Sequence, residues 1–285
     1  MRPFNAPLRA LALAAALAWS PAQAHDTSIL PAGFAGLKPV RLAPGVPLNV
    51  HVSAGHGLTP LNGPRRVRLG QALLLGAGPA RPPRRFRYGP RRSQLGFGAL
   101  PGGVWCLGLR TPLAFIELDD EITGRYLAEV QVPAAQAAHW AAQRARGEPW
   151  REWYAKDAVT WACSGAGAPR DWRRRAAALR GLKPRLVILP LRNPTRLRAR
   201  GALAVELRLD GRPVGDVALR VFDRSVHGGQ RERVVRTDAR GRAVLPLARR
   251  GPCLVATTVL ETPRAAGEPW RSRFGTLGFQ VGRPR

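Results

Sequence analysis

Acidic residues and lysine are the scarce components of this 285-residue chain. Asp and Glu number 18 against 46 Lys and Arg, and the only lysines are Lys38, Lys156 and Lys183. The formal net charge of +28 is therefore almost wholly arginine. Paired carboxylates occur at Asp119-Asp120, but neighbours at a helix start read as a capping cluster rather than an acid/base pair. Asp238, in TDARG, has the same kind of explanation in a turn. Cysteine occurs three times, at Cys106, Cys163 and Cys253, with no CxxC spacing. That excludes a zinc ribbon or a thiol redox motif and leaves at most one intramolecular pair. Cys253 falls on a core strand and packs as a small hydrophobe. No uncharged apolar run reaches the roughly 20 residues of a membrane span, so the chain does not cross a bilayer by helices. GxSxG, HExxH, Walker and EF-hand patterns are all missing, which points away from an enzyme.

The hydrophobic fraction of 45% is ample for packed cores. Arg2 and Arg9, the apolar run LALAAALAW and Ala22-Gln23-Ala24 form a tripartite export signal over residues 1–24. The mature chain is then expected to begin at His25, in the periplasm; the alternative is an uncleaved segment retained as an N-terminal anchor. The strongest pattern lies in Leu203 to Leu260. Leu203, Val205, Leu207 and Leu209 alternate with Ala204, Glu206 and Arg208, Asp210-Gly211 turns the chain, and Val217, Leu219 and Val221 return it. VVRTDARGRAVLPLA repeats the device around Gly241, and CLVATTVLE adds a strand. Residues 181–285 are therefore expected to form a β-sandwich of immunoglobulin-like or transthyretin-like type.

Residues 25–116 read as a β-rich N-terminal domain, from VPLNVHV, VRLGQALLLG and VWCLGLRTPLAF. Between these, Pro79 to Gly103 reads as a long Arg/Gly/Pro-dense loop or irregular edge. Residues 117–180 read as a helical insert and basic linker. Asp119 or Asp120 caps ITGRYLAEV, Pro133 opens AAQAAHWAAQRAR, and Gly147 stops it. A third helix is expected from Pro149 through WREWYAKDAVTWA, with Trp150, Tyr154 and Trp161 on one packing face. The whole is expected to be mainly β.

The arginines are scattered, with no helical basic stripe or nucleic-acid reader motif. With an export signal, nucleic acid is excluded; such charge reads as a solvated arginine-rich surface, or as one that attracts anionic envelope polymers or lipid headgroups. Histidine is the one residue type with usable ligand chemistry. A terminal His25 offers its amine and imidazole as a chelate suited to Ni, Co or Cu. His51, on the polar side of its strand, His56 just beyond it and His227 in a Gly-flanked loop are the further candidates.

HDTSILP, ELDDEITGRYLAEV and WREWYAKDAV resemble a family of bacterial periplasmic proteins known as the domain of unknown function 4198 family. PRLVILPLRNPTRLRARGALAVELRLDGRPVGDVALRVF, RTDARGRAVLPLARRGPCLVATTVLE and WRSRFGTLGFQV resemble it more closely. His25 and Lys156 match the family pattern. Where the family usually carries Trp and a downstream His in the strand CLVATTVLE, this chain has Cys253 and Val259. The resemblance implies an accessory protein of a nickel or cobalt uptake system, with membrane uptake components as partners. The alternative reading is a non-catalytic structural or interaction module of the envelope.

Overall fold

The computed structural model describes residues 26–31, 41–60, 68–76, 78–89, 93–165, 172–225 and 228–282. In chain order the first strands are β1 (Asp26–Pro31), β2 (Arg41–Leu42), β3 (Pro47–His56), β4 (Thr59–Pro60), β5 (Gln71–Leu75) and β6 (Arg85–Arg87). After β7 (Ser93–Ala99), β8 (Gly103–Arg110) and β9 (Ala114–Leu118) come helices α1 (Asp120–Val130) and α2 (Ala134–Ala145). Then follow β10 (Trp150–Ser164), α3 (Trp172–Ala178), a 3-10 turn (Leu179–Leu182), β11 (Leu186–Pro190), β12 (Gly201–Leu209) and β13 (Arg212–Pro213). The chain ends with β14 (Ala218–Ser225), β15 (Gly228–Arg236), β16 (Arg242–Leu247), β17 (Gly251–Glu261) and β18 (Trp270–Val281).

The alternating segment of the sequence forms two facing layers. β11, β12 and β16 pair in one sheet, and β15, β14, β17 and β18 lie in that order in the other. This is the seven-strand arrangement of an immunoglobulin-like sandwich, with the fourth strand moved to the second sheet. Leu186, Ile188, Leu203, Val205, Leu207 and Leu245 project from the first layer into the core. Leu219, Val221, Val255, Leu277 and Phe279 meet them from the second. Each such side chain contributes on the order of 1.5–3 kcal/mol on burial. Asp210 and Gly211 both have positive φ, +48° and +82°, as the expected turn requires.

The second layer does not end at β18. β10 pairs with it in parallel from Glu152–Trp270 to Thr160–Gly278, and β8 and β5 follow beyond β10. A single nine-stranded sheet thus runs through both halves of the molecule. The small sheet, α3 and the 3-10 turn cover one face of it. The N-terminal sheet, ordered β1-β3-β7-β6, covers the other through Leu48, Val50, Val52, Leu95 and Phe97 packed on Leu74, Trp105, Leu107 and Leu109.

β10 replaces the expected third helix. Trp150 and Tyr154, four residues apart, share a face in a strand as well as in a helix, so this spacing does not discriminate. Trp161 does: eleven residues from Trp150, it falls on the opposite face of a strand. It packs in the sandwich core, whereas Trp150 packs under α1 and α2. The stretch Pro79 to Gly103, expected as a loop or irregular edge, contains β7 and the short edge strand β6. In SQLGFGA, Gly96 and Gly98 occupy alternate positions where a polar side chain would have completed the strand pattern. The basic linker holds α3.

The other two helices form where expected. Asp119 caps α1, its Oδ1 accepting from the Ile122 N–H at 2.7 Å, and Asp120 and Glu121 sit in the first turn. Gln131 closes the helix in the left-handed region at φ +52°. Together α1 and α2 roof an aromatic cluster in which Trp150 and Trp270 stack at 4.5 Å and Trp140 and Tyr126 abut edge-on.

Candidate functional site

Of the four histidines read as ligands, His25 and His227 lie outside the described residues. His51 and His56 are both on β3, but in different settings. His51 is half-buried on the outer face of the N-terminal sheet, opposite Gln94 of β7. His56 ends the strand and touches two other parts of the molecule. Its Nδ1 lies 3.2 Å from Glu129 Oε1 of α1 and its Nε2 3.1 Å from Glu232 Oε2 of β15. Protonated, the ring donates to both carboxylates.

Local packing holds this bridge in place. Gly57 turns the chain at φ +60°, and a Cβ there would sit 2.5 Å from the Phe222 ring, so the close approach requires glycine. The Phe222 ring meets His56 edge-on at 5.2 Å. Gln230 Oε1 accepts from the Leu58 N–H at 2.7 Å, and Arg224 donates to the Leu58 carbonyl at 3.0 Å. Glu129 also accepts a short bond from Arg220 Nη1. The tip of β3 and β4 is thereby fastened to the immunoglobulin-like sheet. The two carboxylates approach opposite nitrogens of one ring, so they do not converge on a single ion. Among the described residues no group of three or more His, Cys, Asp and Glu side chains is arranged to hold a metal.

His51 belongs to a second constellation. The outer face of the N-terminal sheet carries two cross-strand rows, Arg85–Gly96–Asn49 and Arg87–Gln94–His51. Asn49, Arg85, Arg87, Gln94 and Gly96 line a depression of about 200 Å³. The Arg84 guanidinium lies over Gly98, its Cζ 3.0 Å from where a Cβ would stand. β3, β4, β6 and β7 contain no Asp or Glu, so nothing on these four strands neutralises the three arginines. The result is a concave, cation-lined face with amide donors and acceptors, suited to an oxyanion. The run RPPRRFRYG carried the charge in the sequence. Only the pairing of β6 with β7 reveals which side chains share a face.

Buried acids are committed elsewhere. Glu152 accepts from Trp150 Nε1 at 2.8 Å, from Tyr126 OH at 3.4 Å and, by a short bond, from Ser272 Oγ. Burial nonetheless pushes its carboxyl above the ordinary range, the three donors only partly offsetting the loss of water. Lys156 Nζ lies over the Phe274 ring at 5.0 Å. Asp157 Oδ2 accepts the Arg185 and Leu186 N–H groups at 3.0 and 3.1 Å, and desolvation raises it too. Asp223 is bonded by Arg233 at 2.5 Å. No disulfide joins the cysteines. Burial pushes the Cys106 and Cys253 thiols up, which keeps both protonated at neutral pH.

No family model and no curated protein matches the chain. Among solved structures it is similar at 12% identity to the D0-D1 domain of intimin, over 90% of this chain and 98% of that one, with a TM-score of 0.20. It is similar at 11% identity to a Salmonella alpha-2-macroglobulin reacted with methylamine, over 91% of this chain and 17% of that one, again at 0.20. Superposition this poor bears on neither fold nor function.

Proposed function

We propose that the protein is a non-catalytic interaction module of the cell envelope that engages an anionic polymer or an acidic partner. The observation that carries this reading is the acid-free outer face of β3, β6 and β7, where Arg84, Arg85 and Arg87 stand exposed beside Asn49 and Gln94. The buried carboxylates support a non-enzymatic role, since each is engaged by a partner that holds the fold together. Export to the periplasm belongs to the same reading. Binding to dextran sulfate, with neutral dextran as control, tests it. Reversing Arg84, Arg85 and Arg87 to Glu is expected to weaken binding at least tenfold and to flatten its dependence on salt. Reversing Arg196, Arg198 and Arg200 instead should have a small effect. Equal losses from the two triples would mean that only the overall charge matters, and the reading would fail.

A second reading, handling of Ni, Co or Cu beside membrane uptake components, draws on one register. Asp26 of β1 pairs with Gly55, one residue from His56. A chain starting at His25 carries its amine and imidazole one peptide from Asp26, and the family resemblance points the same way. Calorimetric titration with the three ions, on protein starting at His25 and on protein with one extra Gly before it, separates the readings. Equal affinities dismiss the terminal chelate.

A further inference from the structure

A second concavity lies on a different sheet from His51, His56 and the basic face. On the side of β11 and β12 turned away from the sandwich core, α3 stands off the sheet and leaves a groove of about 840 Å³. That is within the ~300–1,000 Å³ of small-ligand sites. Its apolar lining follows from strand alternation. Leu186 and Ile188 enter the core, so Val187 and Leu189 face outward, towards Trp172 and Ala176 of α3. Leu191 continues the lining past the strand end and is 39% exposed.

Charge on the rim is not balanced. Glu206, its side chain 8% exposed, takes Arg208 Nε at 2.5 Å and Arg242 Nε at 3.7 Å. Asp210 lies 3.9 Å from Arg185. The lining acids are thus neutralised by neighbouring guanidiniums. Arg173 and Lys183, exposed at the rim, have no carboxylate at ion-pair distance among the described residues. An anionic group is the complement they lack.

The edge of β11 argues against a peptide strand as occupant. The Leu191 N–H goes to Ala204 of β12, so the even-numbered residues point their N–H groups outward. Of these, Leu186 is taken by Asp157 and Pro190 has no N–H, which leaves Ile188 alone to donate to an added strand. The geometry points to a site for a single-chain amphiphile with an anionic head, of fatty-acid type. The acyl chain lies along Trp172, Val187 and Leu189, and the carboxylate meets Arg173 and Lys183.

Calorimetric titration of the full chain with dodecanoate, dodecyltrimethylammonium and acetate, all below micelle formation, tests this. Saturable binding of dodecanoate is expected, with the cationic analogue and acetate at least tenfold weaker. The double variant Arg173→Glu/Lys183→Glu, at two exposed rim positions, should lose tenfold or more for dodecanoate and gain for the cation. Ala176→Trp, which fills the groove and leaves the charges alone, should abolish binding of either. No saturable binding of dodecanoate, equal affinity for the two head groups, or binding untouched by Ala176→Trp would overturn the proposal. A concentration-dependent dimer in sedimentation that Ala176→Trp abolishes would also overturn it, by assigning the groove to a second copy.

Discussion

Towards the small sheet, the nine-stranded sheet presents Leu219, Val221, Val255 and Leu277, and towards α1 and α2 it presents Trp150, Glu152, Trp270, Ser272 and Phe274. The first face is apolar around these residues and closes there by shape, while Asp157 at its border accepts the Arg185 and Leu186 N–H groups. The second closes around stacked rings that share a buried carboxylate, so its hydrogen bonds must be satisfied as well as its volume. β18 serves both faces with alternate residues of one strand. The apolar interior of the first face should therefore be indifferent to pH, and the second face should not.

Removing the strand that joins the halves has the largest expected effect. A fragment of residues 181–285 keeps the aliphatic core but bares the edge of β18 along nine registered pairs. The sequence alone suggests that this fragment folds unaided. The continuous sheet predicts instead loss of cooperative thermal unfolding, or association through the open edge. A sharp monomeric transition by circular dichroism and sedimentation would show that the sandwich does not need β10.

Within the intact chain, Leu207→Ala deletes a fully buried side chain of the aliphatic core. It should cost about 2–5 kcal/mol. Denaturant unfolding is expected to give the same loss at pH 5 and pH 8. A loss that changes with pH would contradict the division between the faces.

Glu152→Gln is smaller and has a pH signature. Because burial raises the Glu152 carboxyl in the folded state, below about 4.5 both states hold the proton and the group contributes nothing. Above that, the unfolded chain releases its proton while the fold retains it. Stability then falls with rising pH up to the raised value, at no more than about 1.4 kcal/mol per pH unit. The Gln variant should lack this decline and gain on the parent from about pH 4.5 upward. The similarly raised Asp157 leaves a residual slope in both proteins, so the difference between them is the quantity to read. Parallel stability curves would mean that Glu152 carries no linkage.

The sandwich was legible because β12 and β16 alternate inward apolar residues with others, and period-2 alternation survives translation into sequence. α1 announced itself through Asp119, whose capping bond spans three residues. β10 was not legible. From Asp157 to Ala162 it is buried on both faces, and a Trp–Tyr spacing of four fits helix and strand alike. β6 and β7 were hidden by Gly96 and Gly98, which keep the strand geometry but erase the pattern. The candidate site was legible only in part. His51 and His56 were picked out by residue type, but the partners of His56 lie 73 and 176 residues away. Such pairings follow from topology, and no local signal encodes them.

The parallel join of β10 to β18 also sets an order of events. Thr160 Oγ1 donates to the Gly278 carbonyl across 118 residues, and most of that chain must be made before the pair can form. Parallel pairing of high sequence separation is the slow class of contact, because the loop entropy is spent before any ladder bond repays it. Until the last strand arrives, β10 is paired on the side of β8 and β9, and its other edge is open from Glu152 to Thr160. The fold is thus sealed from its C-terminus: a chain interrupted before Trp270 would keep every residue of the N-terminal half and still lack the strand that completes it.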